Sequence, residues 1–154
     1  MQTRIIETRS IGSRSTAVMS TDIDIGEVGD WLSRVFPEVD RHLTASGNPP
    51  IGPPFARFHR VTDGRFQVEA GYPVARPVAS SNLVHGSSLP SGTVAVTTHL
   101  GPYDEIAETY EALFAWIASR DSTPTGDHWE VYFSGPDEAS STWRTVIYQP
   151  YRPV

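Results

Sequence analysis

The chain has 154 residues, 38% hydrophobic and 19% charged, which is the make-up of a folded domain and not of a disordered segment. It carries 12 Arg, no Lys and 18 acidic residues, a formal charge of −6 without a basic cluster, so neither a nucleic-acid-binding face nor a face for anionic lipid is expected. The absence of Cys excludes disulfides, thiolate metal sites and a cysteine nucleophile, and no apolar run approaches the roughly 18 residues of a membrane span.

The start, Met1-Gln2-Thr3-Arg4-Ile5-Ile6-Glu7, lacks the apolar stretch of a secretory leader, so a cytoplasmic location is the expectation. Arg4 to Thr8 and Ser13 to Thr21 are β-prone runs parted by Ile11-Gly12. Ile25, Val28, Trp31, Leu32, Val35, Phe36, Val39 and Leu43 then recur at helical spacing, and Pro37 should kink that helix or restart it. After the stiff loop Asn48-Pro49-Pro50-Ile51-Gly52-Pro53-Pro54, the runs Phe55 to Val61 and Arg65 to Val74 read as a hairpin turning at Asp63-Gly64.

A Pro/Ser-rich connection, Ala75 to Asn82, leads to strands at Leu83 to Ser87 and Thr93 to Leu100. Gly101-Pro102 opens a helix from Tyr103 to Arg120, with Asp104, Glu105 and Glu108 at the positive end of its dipole. Ile106, Tyr110, Leu113, Phe114 and Ile117 form its apolar stripe, and Pro124 and Gly126 stop it. His128 to Ser134 and Thr142 to Tyr148 are the last strands, joined through Gly135-Pro136-Asp137-Glu138.

The element order is ββαββ, then ββαββ again. Thr16-Ala17-Val18-Met19-Ser20-Thr21 stands 77 residues before Thr93-Val94-Ala95-Val96-Thr97-Thr98, as Phe66 and Pro73 do before Trp143 and Pro150, while Phe55 stands 74 before Trp129. The expectation is one α+β domain over residues 1–154, an internal duplication with pseudo-repeats about 1–77 and 78–154, its antiparallel sheets carrying two helices.

Sixteen aromatics are more than a small core needs, so some are candidates for lining a cavity. Glu130 is the first candidate for chemistry. Strand alternation puts His128, Glu130, Tyr132 and Ser134 on one face and Trp129, Val131 and Phe133 on the other. Two readings of Glu130 stand side by side: an ion pair with Arg144 on the neighbouring strand, or a lone anion among aromatics, suited to a cationic ligand or to proton transfer. Tyr103 has two readings as well, a packing residue at a capped helix start or a ring and hydroxyl at a cavity mouth. Among the remaining aromatics, Trp31, Phe58, Tyr110, Trp143 and Tyr148 are further candidates. Trp116, at the edge of its stripe, and Tyr132, on the Glu130 face, are better cavity candidates than Phe114 or Phe133. His42, His59, His85, His99 and His128 show no metal-binding spacing, and no nucleotide-binding motif is present, so neither metal nor cofactor is expected.

Thr93-Val94-Ala95-Val96-Thr97-Thr98-His99-Leu100-Gly101-Pro102-Tyr103-Asp104-Glu105-Ile106, Tyr110 to Ile117, Trp129-Glu130-Val131-Tyr132 and Thr145-Val146-Ile147-Tyr148-Gln149-Pro150 together resemble the GyrI-like small-molecule-binding family. That family also supplies the effector-binding domain of AraC-type and MerR-type multidrug regulators. The resemblance spans essentially the whole chain and is strongest over 93–150. It implies a duplicated strand–helix–strand–strand fold around a groove that takes bulky, flat, apolar and often cationic compounds. It further implies that Glu130 meets the ligand's positive charge, that Tyr103 is an aromatic wall, and that Tyr132 with Trp143 or Tyr148 lies near other wall positions. In regulators this domain follows a helix-turn-helix; here the repeat occupies the chain, so no DNA-binding domain is expected.

Three functions follow from the resemblance. The first is a stand-alone binder that sequesters or senses such compounds. The second is a hydrolase that opens the cyclopropane of DNA-alkylating natural products by adding water, with Glu130 and Tyr103 as catalytic groups. The third, ranked lowest, is an inhibitor of DNA gyrase. The expected partners are hydrophobic or cationic aromatic small molecules and neither nucleic acid nor membrane, in a monomer or weak homodimer.

Overall fold

A computed structural model describes residues 4–81, 83–133 and 139–154. The fold is α+β, with strands β1 (Ile6–Ile11), β2 (Arg14–Asp24), β3 (Phe55–Thr62), β4 (Arg65–Pro73), β5 (His85–Leu89), β6 (Gly92–Leu100), β7 (Ser122–Pro124), β8 (His128–Tyr132) and β9 (Arg144–Pro153). The helices are α1 (Val28–Ala45) and α2 (Ile106–Ser119), each preceded by a one-turn 3-10 segment, Ile25–Glu27 and Tyr103–Glu105. Expected Ser134, Asn82 and the Gly135–Glu138 loop lie outside the described residues.

The chain forms two compact units, Gly12–Ser91 and Met1–Ile11 with Gly92–Val154. In the first, the antiparallel strand order is β3-β4-β2-β5. Pairing partners on a sheet point their side chains to the same face. Ala17, Met19 and Thr21 of β2, Val68, Ala70 and Tyr72 of β4, and Ala56 and Phe58 of β3 therefore share one face. Helix α1 covers it: the Tyr72 hydroxyl donates to the Phe36 carbonyl at 3.3 Å, and the two rings meet edge-on at 5.9 Å. Val35, Val39 and Leu43 of α1 are buried beneath. Gly71 is required where β2 passes close, since a Cβ there would lie 1.8 Å from the Ala17 carbonyl oxygen.

Helix α1 is a single helix through Pro37, so the chain does not restart there. Pro37 cannot bond the carbonyl of Ser33 and crowds it; both residues are exposed, on the solvent side of the helix, and Val35 and Val39 are buried on either side.

In the second unit the antiparallel order is β1-β6-β9-β8, with β7 added at the far end of β9. The sequence reading missed β7 and stopped β9 at Tyr148; the two extend each other, Ser122 pairing with Pro153. Ala95, Thr97 and His99 of β6, Thr145, Ile147 and Gln149 of β9, and Glu130 and Tyr132 of β8 share the face that α2 covers. Between this face and α2 lies a core of Ala95 and Ile147 from the sheet with Leu113 and Ile117 from the helix, all fully buried.

The two units repeat one pairing scheme. Ala17 pairs with Gly86, and Ala95 with Thr8; Ala17 and Ala95 are 78 apart, as are Thr8 and Gly86. Phe55 pairs with Gly71, and Trp129 with Tyr148, partners 74 and 77 apart. The helices and the turns before them are also 78 apart, beginning at Ile25 and Val28 in one unit and at Tyr103 and Ile106 in the other. Within each unit the edge strand beside the central pair comes from the opposite half of the sequence.

Candidate functional site

Strand β8 carries the charged residue of this site. Glu130 is only 9% exposed and stands opposite Ile147 in the register with β9. Each carboxylate oxygen accepts one phenolic hydroxyl: Tyr132 donates to Oε1 at 2.8 Å, and Tyr110, reaching down from α2, donates to Oε2. Burial lifts the Glu130 carboxyl above the ordinary range, while the two hydroxyls and the nearby His99 act against that rise. Burial, and then the neighbouring carboxylate, pushes both Tyr110 and Tyr132 well up, so both keep their protons and remain donors. The ion-pair reading of Glu130 is not the arrangement found: the Phe133 amide bonds the Arg144 carbonyl, and the Arg144 guanidinium lies 4.6 Å from the Phe133 ring centre, on the strand face turned away from Glu130.

The Gly101-Pro102-Tyr103 segment brings the next ring. Gly101 adopts φ +107°, a conformation open to glycine, and its amide donates to the Trp143 carbonyl at 2.8 Å. Buried His99 donates from Nε2 to the Pro102 carbonyl at 2.9 Å, and its Nδ1 lies 2.7 Å from the Thr109 hydroxyl, which also accepts from Arg4 Nε at 3.2 Å. This polar chain ties β6, α2 and the approach to β1 to the turn that carries Tyr103. The Tyr103 ring meets Tyr132 edge-on at 5.8 Å and lies 5.0 Å from Trp143, tilted by 35°. It is 42% exposed, and burial of the remainder raises its pKa. The Thr145 hydroxyl faces it without meeting hydrogen-bond geometry and works against that rise.

Five of the residues named from sequence therefore converge: Glu130, Tyr103, Tyr110, Tyr132 and Trp143. Two others of the same unit, Trp116 and Tyr148, do not join them. Trp116 meets Tyr151 edge-on at 6.0 Å under the Arg120 guanidinium. Tyr148 stacks on Trp129 at 5.4 Å, and the pairing of these two puts both on the sheet face opposite Glu130. Phe58 packs edge-on against Phe66, and Trp31 is a half-buried residue of α1; both belong to the other compact unit.

Sequence reasoning passed over Phe114, yet it is 41% exposed and stacks on Tyr110 at 6.2 Å. Their i,i+4 spacing was the available signal. His128 meets Tyr110 edge-on at 5.1 Å, and burial lowers its pKa to about 4. Thr109 and Thr145 carried no local signal: Thr109 meets Arg4 105 residues earlier in the chain, and Thr145 is placed by the pairing of β9 with β6 and β8. Among the described residues no three His, Asp or Glu side chains gather to hold a metal ion, and no helix is long and apolar enough to cross a membrane.

The sequence profile of the GyrI-like small molecule binding domain matches residues 13–152, and the chain belongs to that family. No curated protein matches. Among solved structures, the chain is similar to the C-terminal domain of EcmrR, with TM-score 0.82 and 18% identity over 99% of this chain and 100% of that one. The same protein in an EcmrR–DNA complex matches with TM-score 0.81 and 18% identity over 98% of this chain and 58% of the longer EcmrR chain. A hydrolase from Listeria innocua matches with TM-score 0.70 and 12% identity over 99% of this chain and 94% of that one. SAV2435 bound to tetraphenylphosphonium matches with TM-score 0.67 and 13% identity over 96% of this chain and 94% of that one. At these identities the likeness is one of fold.

Proposed function

We propose that this domain binds bulky, flat, apolar compounds bearing a positive charge, for sequestration or sensing. Glu130 is the counter-ion, and Tyr103, Tyr110, Tyr132 and Trp143 are the aromatic surfaces beside it. One observation carries the reading: a buried carboxylate whose hydrogen-bond partners are two neutral hydroxyls. Hydroxyls compensate a buried negative charge only in part, and an aromatic cation completes the compensation. Rings around such a cation add about 1–2 kcal/mol each when desolvated. That SAV2435 is seen with tetraphenylphosphonium, a bulky aromatic cation, supports the same ligand class here.

The test is a titration of tetraphenylphosphonium and rhodamine 6G, against neutral triphenylphosphine oxide, into the wild type and Glu130→Gln. The substitution keeps the shape and removes the charge. Loss of about 2 kcal/mol, near 30-fold in Kd, is expected for the cations only. Equal loss for the neutral compound would sink the charge-pairing account.

A second reading is favoured by the same carboxyl. Lifted by burial and held by two hydroxyls, it suits proton transfer to a carbonyl conjugated to a strained cyclopropane while water adds and the ring opens. Mass spectrometry separates the two: a product heavier by one water, formed over many turnovers and lost in Glu130→Gln, makes the protein a hydrolase. Saturable binding without product makes it a binder.

A further inference from the structure

Thr145 is fully buried, and among the described residues its hydroxyl has no hydrogen-bond partner. Its place is defined on every side. In the sheet it stands between Tyr132 of β8 and His99 of β6, on the face of Glu130. The Tyr103 hydroxyl faces it from the turn before α2. In the other unit the matching position is Val68, 77 residues earlier, buried on the face that α1 covers. Valine has the shape of threonine without the hydroxyl, so the packing of this fold does not call for a polar atom there. A buried hydroxyl left unpaired destabilises the protein that carries it.

We propose that the Thr145 and Tyr103 hydroxyls form a subsite for a hydrogen-bonding oxygen of the bound compound, a phenol, hydroxyl or carbonyl held beside the Glu130 group. This deepens the ligand-site reading and rests on it. The site then reads two features of one flat molecule, positive charge at Glu130 and an oxygen at Thr145, with the Tyr132 ring between them. Tyr103 is the outer part of this subsite. It is 42% exposed, sits on a one-turn segment after Gly101, and is held against Tyr132 and Trp143 by ring contacts. A shift of that ring uncovers Thr145 and turns its hydroxyl from an unpaired group into an anchor.

The experiment uses the full chain and four probes: naphthalene, 1-naphthol, 2-naphthol and N-methylquinolinium, titrated by intrinsic tryptophan fluorescence. In the wild type at least one naphthol is expected to bind about fivefold to tenfold tighter than naphthalene, the worth of one added hydrogen bond. Thr145→Val brings that ratio to near one and leaves naphthalene unchanged, while Thr145→Ser keeps it. A ratio near one in the wild type, or one that survives in Thr145→Val, overturns the subsite. The preference for N-methylquinolinium over naphthalene, and its loss in Glu130→Gln, reads the charge site separately. Its absence in the wild type overturns that reading while the naphthol ratio still stands for Thr145. Failure of all four to bind overturns both.

Discussion

Beneath α1, the sheet presents Ala56, Phe58 and Val68; at the matching places beneath α2 it presents Glu130, Tyr132 and Thr145. The helices differ in the same sense, Leu32 of α1 standing where α2 has Tyr110, and Ile25 standing where Tyr103 opens the preceding turn. Both units obey one set of strand registers, so the comparison separates what the fold needs from what has been added to it. An apolar side chain at each of these places is enough to bury a helix on this sheet. The carboxylate, its two phenols and the unpaired hydroxyl are therefore additions, and they lower stability relative to an apolar filling of the same volume.

The largest effect is expected from placing a carboxylate in the other unit. Ala56 is fully buried on the face it shares with Phe58, Val68 and Ala70, where the one phenol, Tyr72, already donates to the Phe36 carbonyl. Ala56→Glu should destabilise by roughly 3 kcal/mol or more, read as a lower midpoint in urea unfolding. A loss under 1 kcal/mol would mean that such a site tolerates charge without dedicated donors.

Replacing the polar site by apolar side chains should have a smaller effect of the opposite sign. The triple variant Glu130→Leu, Tyr110→Phe, Tyr132→Phe should be as stable as the wild type or up to about 3 kcal/mol more so, since charge and donors leave together. Glu130→Leu alone should be less stable by about 1–3 kcal/mol, because two buried hydroxyls lose their acceptor. Equal midpoints for the single and triple variants would show that the hydroxyls and the carboxylate are not coupled.

Legibility in the sequence followed the range of the interactions. Alternation along His128-Trp129-Glu130-Val131-Tyr132 placed Glu130 and Tyr132 on one face, and the 3.6-residue stripe placed Tyr110 on the buried side of its helix; both are properties of a few neighbouring residues. The bond between Tyr110 and Glu130 joins a helix to a strand, and only the packed structure shows it. Tyr148 was misplaced because its face depends on the β8–β9 register, which pairs it with Trp129. Trp116 was misplaced because the strand end and Tyr151, against which it packs, lie beyond the expected end of the last strand. The exchange of edge strands, β1 with β6 and β5 with β2, leaves no mark on local pattern, since both edges are short, mostly polar and exposed runs with nothing in them that selects a partner.

Two smaller effects depend on pH and oppose each other. Burial holds His128 at about 4 against 6.5 in the unfolded chain, so the unfolded state takes up the proton first. Acidification between those values should destabilise the fold, and His128→Phe should flatten that part of a stability–pH curve. Glu130 is lifted, so the folded state keeps its proton to higher pH than the unfolded chain does. Its contribution is fully present below the ordinary carboxylate range and is lost as pH rises through the lifted value. Glu130→Gln should remove that loss, and an unchanged curve for both variants would contradict the burial assigned to these groups.

The central claim is that Glu130 is the counter-ion for a cationic aromatic ligand, and the most direct test is calorimetric titration of tetraphenylphosphonium across a pH series. In the wild type, affinity should rise with pH as the lifted carboxyl ionises and then level off, while in Glu130→Gln it should be weak and flat. The same affinity and the same pH profile in both proteins would contradict the account.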